Sequence, residues 1–317
     1  MTLTPERRRE KMAEHFRIER DFARRIMATA KDSPERAQLF AEGYNAVTRL
    51  MAEYQPGGGE TGYTDVVAAL IGQRIPPGGS VFDLGCATGN LLFALARRGY
   101  AVAGIDVSGD LIEAARRRLA PLGLAQRVCR AEVMSYVHPE SVDGVVLDNA
   151  IEHFHPDAIP DVLRKCHAML KPGGYLWVLT PHRFSGPHDV SRQFLPLGSR
   201  AEGFHLREFS FTELRQELQA AGFGEVLGFP FHPRLLRKIG WIPKASVRAA
   251  RKAEACERWC LRSRAGMRLL TANATAGHLL VALLFPSICV ARKPDGAGTL
   301  TPAAVGRGGC ADPAAPG

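Results

Sequence analysis

Three groups of residues have types and spacings suited to chemistry. The first is Asp83-Leu84-Gly85-Cys86-Ala87-Thr88-Gly89, an acid that closes an apolar run, followed by two glycines. Glycines at such a turn let the backbone approach a ligand with no Cβ in the way. The residues that follow, Leu91 to Arg98, have helical composition, and the free N–H groups at a helix start favour an anion. A ligand is therefore expected over residues 83–90. The second is Asp106, which closes the next apolar run, Tyr100 to Ile105. An acid about 20 residues beyond such a turn suits a ribose diol. The third is a set of histidines: His153 after the apolar run 142–148, then His182 and His188 with Asp189 and His205 in a polar stretch. A histidine titrates near neutrality and can accept a proton from a reacting hydroxyl.

The elements that must hold these residues alternate in type. Strands are expected at 80–84, 100–106, near 126–132, 142–148, 175–180, 224–231 and 287–293. Helices are expected at 89–98, 109–119, 157–170 and 208–221. Strands separated by helices of this length indicate parallel βαβ units and a doubly wound sheet. Ligands of such sheets sit outside the carboxyl ends of the strands. The dinucleotide fingerprint does not fit the turn, because its third glycine falls on Asn90, and no Gly-Lys-Ser/Thr completes a phosphate loop.

What remains, D-x-G-x-x-x-G with Asp106 on the next strand, resembles the first motif and second-strand acid of the class I S-adenosylmethionine-dependent methyltransferases. Ala87 stands where that family often has a further glycine. Ala150-Ile151-Glu152-His153-Phe154 is similar to its glutamate–histidine step, and Leu170-Lys171-Pro172-Gly173-Gly174-Tyr175-Leu176 to the turn before its fifth strand. Phe211-Thr212 through Ala221-Gly222-Phe223 resembles its late helix. The likeness covers residues 80–231 and 287–293. It implies a Rossmann-like α/β fold with a seven-stranded, mostly parallel sheet in the order 3-2-1-4-5-7-6. It also implies S-adenosyl-L-methionine as cofactor. Asp83, Gly85, Cys86, Ala87 and Gly89 would surround the methionine portion, Asp106 and Val107 the ribose, and Glu132 and Val133 the adenine. Asp148 and Asn149 would border the sulfonium and the amino-acid tail. Methyl transfer is an in-line displacement, in which the protein mainly aligns two reactants. No metal and no covalent intermediate are expected. His153 is the first candidate for the base, with His182 and His188 behind it.

The 317 residues can bury a large core, and the net charge is +9. Seven scattered cysteines without paired spacing argue against a disulfide framework or a zinc site. Reduced thiols, a charged start with no apolar signal segment, and an apolar stretch at 279–290 too short to span a bilayer point to a cytoplasmic protein. The expected division is a helical cap at 1–75, the core at 76–231, a basic helical insert at 232–286, the last strand at 287–293 and a disordered tail at 294–317. Between Arg234 and Arg268 the insert holds eleven Lys and Arg and only two acids, Glu254 and Glu257. Apolar residues such as Leu236, Val247, Trp259 and Leu261 are interleaved with them, so the insert is expected to be an amphipathic helix in part.

The function expected is methylation of a small molecule, at oxygen first, with an acidic, glycan or lipid-linked acceptor suited to the insert. Peripheral contact with an anionic membrane suits it too. Two alternatives stand: an RNA or protein methyltransferase, and a non-catalytic cofactor-binding regulator. Nucleic acid is disfavoured because Asp148-Asn149-Ala150-Ile151 replaces the Asn/Asp-Pro-Pro-Tyr signature of amino-methylating nucleic-acid enzymes. Nothing in the sequence fixes the oligomeric state.

Overall fold

Seven strands pair in the order 3-2-1-4-5-7-6 in the computed structural model, which describes residues 3–55, 61–229, 236, 237, 242, 244–263, 281 and 285–296. β1 (Ser80–Leu84), β2 (Ala101–Asp106), β3 (Val128–Arg130), β4 (Val142–Asp148) and β5 (Leu170–Leu179) are parallel. β7 (Ile288–Arg292) runs antiparallel between β5 and β6 (Glu225–Gly228). The expected order and the antiparallel seventh strand are both present. Val145, Val146 and Leu147 are all fully buried, the mark of a strand covered on both faces. One apolar layer holds Leu84, Val145, Leu163 and Leu176, and the other holds Val81, Leu92, Val146 and Trp177.

Helices α1 (Pro5–Met27) and α2 (Pro34–Tyr54) form the cap, followed by α3 (Thr61–Ile71). Around the core lie α4 (Asn90–Ala96), α5 (Gly109–Leu119), α6 (Ile159–Met169) and α7 (Phe211–Ala220). Most starts follow from local chemistry. Thr4, Ser33, Ser108 and Ser210 each accept from a backbone N–H in the first turn of their helix. The cap is joined to the core by Arg36, whose guanidinium takes both oxygens of Asp157 at 2.6 and 3.1 Å, and by Arg49 on Asp110. Phe22, Ile26, Leu39, Tyr44 and Val47 pack around Phe204, which comes from the loop between β5 and α7.

Among the boundaries that differ from expectation, three have a clear local cause. The late helix begins at Phe211 rather than Glu208, because Ser210 and Glu213 form a reciprocal capping box there and Glu208 is engaged elsewhere. β3 shortens to three residues, since Ala125–Arg127 form a 3-10 turn before it. β5 begins at Leu170, and a register shift at Val142/Gly144 absorbs the Pro172-Gly173-Gly174 turn. Of the insert, α8 (Val247–Arg262) is described, and it packs on α7 and β6. The expected tail from residue 297 onward lies outside the described residues, as do 230–235 and 264–280 of the insert region. Among the described residues no helix is long and apolar enough to cross a membrane, and the six described cysteines are free.

Candidate cofactor and acceptor site

β1 and β2 end side by side, Leu84 opposite Ile105, which carries Asp83 and Asp106 to the same edge of the sheet. The turn after β1 is fixed by Gly85, whose N–H bonds the Ile105 carbonyl at 2.9 Å. Its φ of 85° lies where a Cβ is strained, and an added Cβ would stand 3.1 Å from that of Ala150. Ala87 has the same left-handed backbone, with φ 45°. The glycine usual in the resembling family is therefore what the geometry prefers at this position. The Ala87 N–H donates to Asp106 Oδ2 at 3.0 Å, and the Ser108 N–H to Asp106 Oδ1 at 2.9 Å. Asp106 is thus held rigidly with lone pairs to spare. Burial raises its pKa, offset in part by those two N–H groups.

Two cavities meet at this turn. The smaller, about 170 Å³, is lined by Tyr63, Asp83, Gly85, Cys86, Ala87 and Asp148 among others. The larger, about 670 Å³, runs past Gly85, Ala87, Asp106, Val107, Glu132, Val133, Asp148, Asn149 and His153 under a roof of α2. Phe40, Tyr44, Met134, Phe154 and Val162 supply its apolar wall. The structure thus brings the expected cofactor residues together, with one exception. Gly89 lines neither cavity. It starts α4 with φ 72°, and a Cβ there would meet Ala115 of α5 at 3.1 Å, so packing between helices is what requires a glycine. Glu132 faces the large cavity while its Oε2 accepts from the Ser135 N–H at 2.8 Å.

The electrostatics of the small cavity call for a cation. Asp83 is 2% exposed, and its Oδ1 has no hydrogen-bond partner. Burial first, then the charges of Asp148 and Asp106, pushes it well above the usual carboxylate range. Burial raises Asp148 to about 6, although Tyr63 and Asn149 hydrogen-bond it and pull the other way. Tyr63 Oη donates to Asp148 Oδ1 at 2.8 Å, and Asn149 Nδ2 donates to the same oxygen at 2.8 Å. Carboxylates crowded out of water without a counter-charge are costly, and a bound cationic group relieves that cost. A sulfonium with an adjacent ammonium fits this pair, and the bare turn at Gly85 leaves room for the chain between them. The cofactor implied by the motif therefore fits the residues present.

The histidines separate. His153 lies on the cavity wall, in a 3-10 turn (Ile151–His153) after β4. Its Nδ1 lies 3.0 Å from the Phe204 carbonyl, which can only accept, so that nitrogen carries the proton. The Phe204 N–H in turn donates to Glu19 Oε2 of α1 at 3.1 Å. Burial first, then the neighbouring His205, lowers His153 to about 3. The sequence suggested a histidine near its normal pKa. At this position the ring is neutral and too weakly basic to hold a substrate proton at neutral pH. His182 and His188 do not line the cavity. His182 is buried and donates from Nε2 to Glu257 of α8 at 2.7 Å. His188 sits against Ser185 and Glu208. Neither reaches the place that their candidacy as bases required.

Several site residues had no local signature. Tyr63 reaches Asp148 across 85 positions, and Arg36, Phe40 and Tyr44 of the roof read only as helix-face residues in sequence. Glu152 lies within the glutamate–histidine step, yet its environment is set by folding. It is fully buried, and neither carboxylate oxygen has a hydrogen-bond partner, although the charge of His205 first, and the nearby Thr180 hydroxyl after it, lower its pKa somewhat. Burial dominates and raises it to about 7.

Residues 81–174 match a family model described as a methyltransferase domain. A ubiquinone biosynthesis O-methyltransferase of Xanthomonas campestris pv. campestris is 36% identical over 121 residues, 38% of this chain and 48% of that protein. A ribosomal RNA small subunit methyltransferase C of Alcanivorax borkumensis is 34% identical over 118 residues, 36% of each chain. The chain thus spans about half the length of the first of these relatives. Among solved structures, that of the 4+2 cyclase SpnF aligns with a TM-score of 0.53 at 20% identity, over 82% of this chain and 97% of that one, and shares the fold.

Proposed function

From the class I S-adenosylmethionine-dependent methyltransferases, to which the core of this chain belongs, we propose a protein that transfers a methyl group to a hydroxyl of a small-molecule acceptor. When bound, S-adenosylmethionine supplies a methyl on a sulfonium, activated for in-line displacement. Asp83 and Asp148 set negative charge against the cationic methionine end. Asp106 accepts from the ribose hydroxyls, with Val107 beside it. Glu132 and Val133 form the edge that takes the adenine. Phe40, Tyr44, Phe154 and Val162 exclude water from the rest of the cavity, where the acceptor is aligned. Alignment in a dry site is a large part of catalysis for a displacement of this kind.

The observation that carries the reading is the buried Asp83, with its Oδ1 unpartnered, beside Asp148 at a turn open to ligand. The choice of oxygen leans on the O-methyltransferase relatives, and the choice of a small molecule on a cavity volume within the range of small-ligand sites. Calorimetric titration with S-adenosylmethionine and S-adenosylhomocysteine tests it. Binding is expected for the wild type, weaker by about 1–3 kcal/mol in Asp106→Ala, the cost of a polar partner left unpaired. No binding by folded wild-type protein would end the proposal.

A second reading, methylation of RNA or protein, is favoured by the cationic outer face of α8 and by the ribosomal RNA methyltransferase among the relatives. Methyl incorporation into polymer would select it. A third, cofactor binding without methyl transfer, stays open because the same fold carries a cyclase. Cofactor affinity without turnover over a broad acceptor panel would select that one.

A further inference from the structure

We propose that Glu152, His153 and His205 form a binding site for a divalent first-row transition-metal ion at the wall of the acceptor cavity. The three residues come from two places, Glu152 and His153 from the turn after β4 and His205 from the loop before α7. One ligand atom from each lies within 4.8 Å of the others. Tetrahedral ligands about 2 Å from one ion lie roughly 3.3 Å apart, so binding would draw the three side chains together by up to about 1.5 Å.

Three features favour an ion over a simple polar cluster. Glu152 is fully buried with both carboxylate oxygens partnerless, which is unusual and costly unless something binds them. Both histidines have Nδ1 engaged by an oxygen acceptor: His153 by the Phe204 carbonyl at 3.0 Å, and His205 by Glu208 Oε1 at 2.9 Å. That arrangement fixes each ring, and an ion would take Nε2 in place of any proton there, as outer acceptors orient metal-bound histidines. Glu208 is itself anchored by the His188 N–H at 2.7 Å. The two imidazoles stand edge to face at 4.8 Å between centroids. Two imidazole nitrogens and one carboxylate suit zinc, iron, cobalt or manganese better than magnesium or calcium.

With three protein ligands, further coordination positions remain for water or an acceptor oxygen. Of the three residues, His153 also lines the cavity, so those positions adjoin the acceptor. The role follows from the proposed function and rests on it. Once bound, the ion would polarise the acceptor hydroxyl, whose proton would pass to a water held at a remaining coordination position. The oxygen then forms the new C–O bond as the methyl–sulfur bond breaks, and that electron pair remains on sulfur as a neutral thioether.

Cobalt(II) titration of the untagged full chain, followed by visible absorption and then displaced with zinc, tests the site. One equivalent with nitrogen and oxygen ligation and no sulfur charge-transfer band is expected. Glu152→Gln and His205→Asn should weaken uptake by at least about tenfold, and Glu208→Gln by about 10–100-fold. S-adenosylhomocysteine titration of the same samples confirms that each variant is folded and tests the cofactor reading separately. Wild-type protein that binds the nucleoside but takes up no cobalt would overturn the metal site and leave the methyltransferase reading standing. Uptake equal in wild type, Glu152→Gln and His205→Asn, or uptake through cysteine sulfur, would overturn it as well.

Discussion

Ala87 shows how a single methyl group can be at odds with its backbone. Its φ of 45° places the Cβ where an L residue is strained by about 1–2 kcal/mol, whereas glycine costs the unfolded chain about 0.4–1 kcal/mol of extra freedom. Ala87→Gly is therefore expected to raise stability by up to about 1 kcal/mol and to keep cofactor affinity, as read by chemical denaturation and calorimetry. Ala87→Val, β-branched at the same φ, should lose both. Asp148 carries a pH dependence. Its value of about 6 in the folded protein lies above that of an unfolded aspartate, so its contribution to the stability of the free protein is full below about pH 4 and is lost as pH rises through 6. A cationic ligand has the opposite preference and favours the ionised acid. S-adenosylmethionine affinity should rise between pH 5 and 7. It should rise less for S-adenosylhomocysteine, which lacks the sulfonium charge, and Asp148→Asn should flatten the difference. Tyr63, Asp83 and Glu152 share this environment, so the slope belongs to the group, and the Asn variant isolates Asp148 within it. Asp83 and Asp106 were readable because an acid at the end of an apolar run is a local pattern. Tyr63 and the bare carboxylate of Glu152 were not, because each owes its role to partners brought in only by folding.

At the level of elements, one carboxylate joins three pieces of chain. Glu257 of α8 is 1% exposed and accepts from His182 at 2.7 Å and from the Phe211 and Thr212 N–H groups at 2.6 and 2.9 Å. It therefore satisfies two of the orphan donors at the start of α7 and fixes His182, three residues beyond the end of β5. Glu257→Leu is expected to cost about 3 kcal/mol or more in urea unfolding, since several charge-assisted hydrogen bonds are lost together. In sequence, Glu257 was counted as one of two acids in a basic segment, with no hint that it faced inward. Helix starts were far more legible. α5 begins where expected, after its cap Ser108, whereas α7 begins three residues later than expected, at the capping box of Ser210. His182 and His188 were misjudged because a polar loop after a strand resembles a site whether its side chains point to a ligand or bind one another.

Across the whole molecule, charge is sorted by face. Both acids of α8 are tied to the protein, Glu254 to Arg215 and Glu257 to His182. Arg248, Arg251, Lys252, Arg258 and Arg262 face outward and make no ion pair among the described residues. Trp259 and Leu261 are exposed at 56% and 59% beside them. Such a face suits an anionic surface or an acidic, lipid-linked acceptor, at about 1 kcal/mol per cation. Replacing Arg248, Arg251 and Lys252 with Glu should abolish salt-sensitive sedimentation with anionic vesicles and leave neutral vesicles unaffected. Equal sedimentation before and after the change would refute that role.

The Phe204 peptide has a bearing on modularity. The Phe204 N–H belongs to Glu19 of the cap and the Phe204 carbonyl to His153 of the core, so the two parts hold the two successive peptide groups that flank one Cα. A fragment trimmed to the core would not be an uncovered version of the same machine. It would strand a buried N–H, loosen the carbonyl that sets the tautomer of His153, and lose the α2 wall of the cavity. The expected division into cap and core is not a division of these contacts, and shuffling caps between related cores would have to carry the 204 loop along with them.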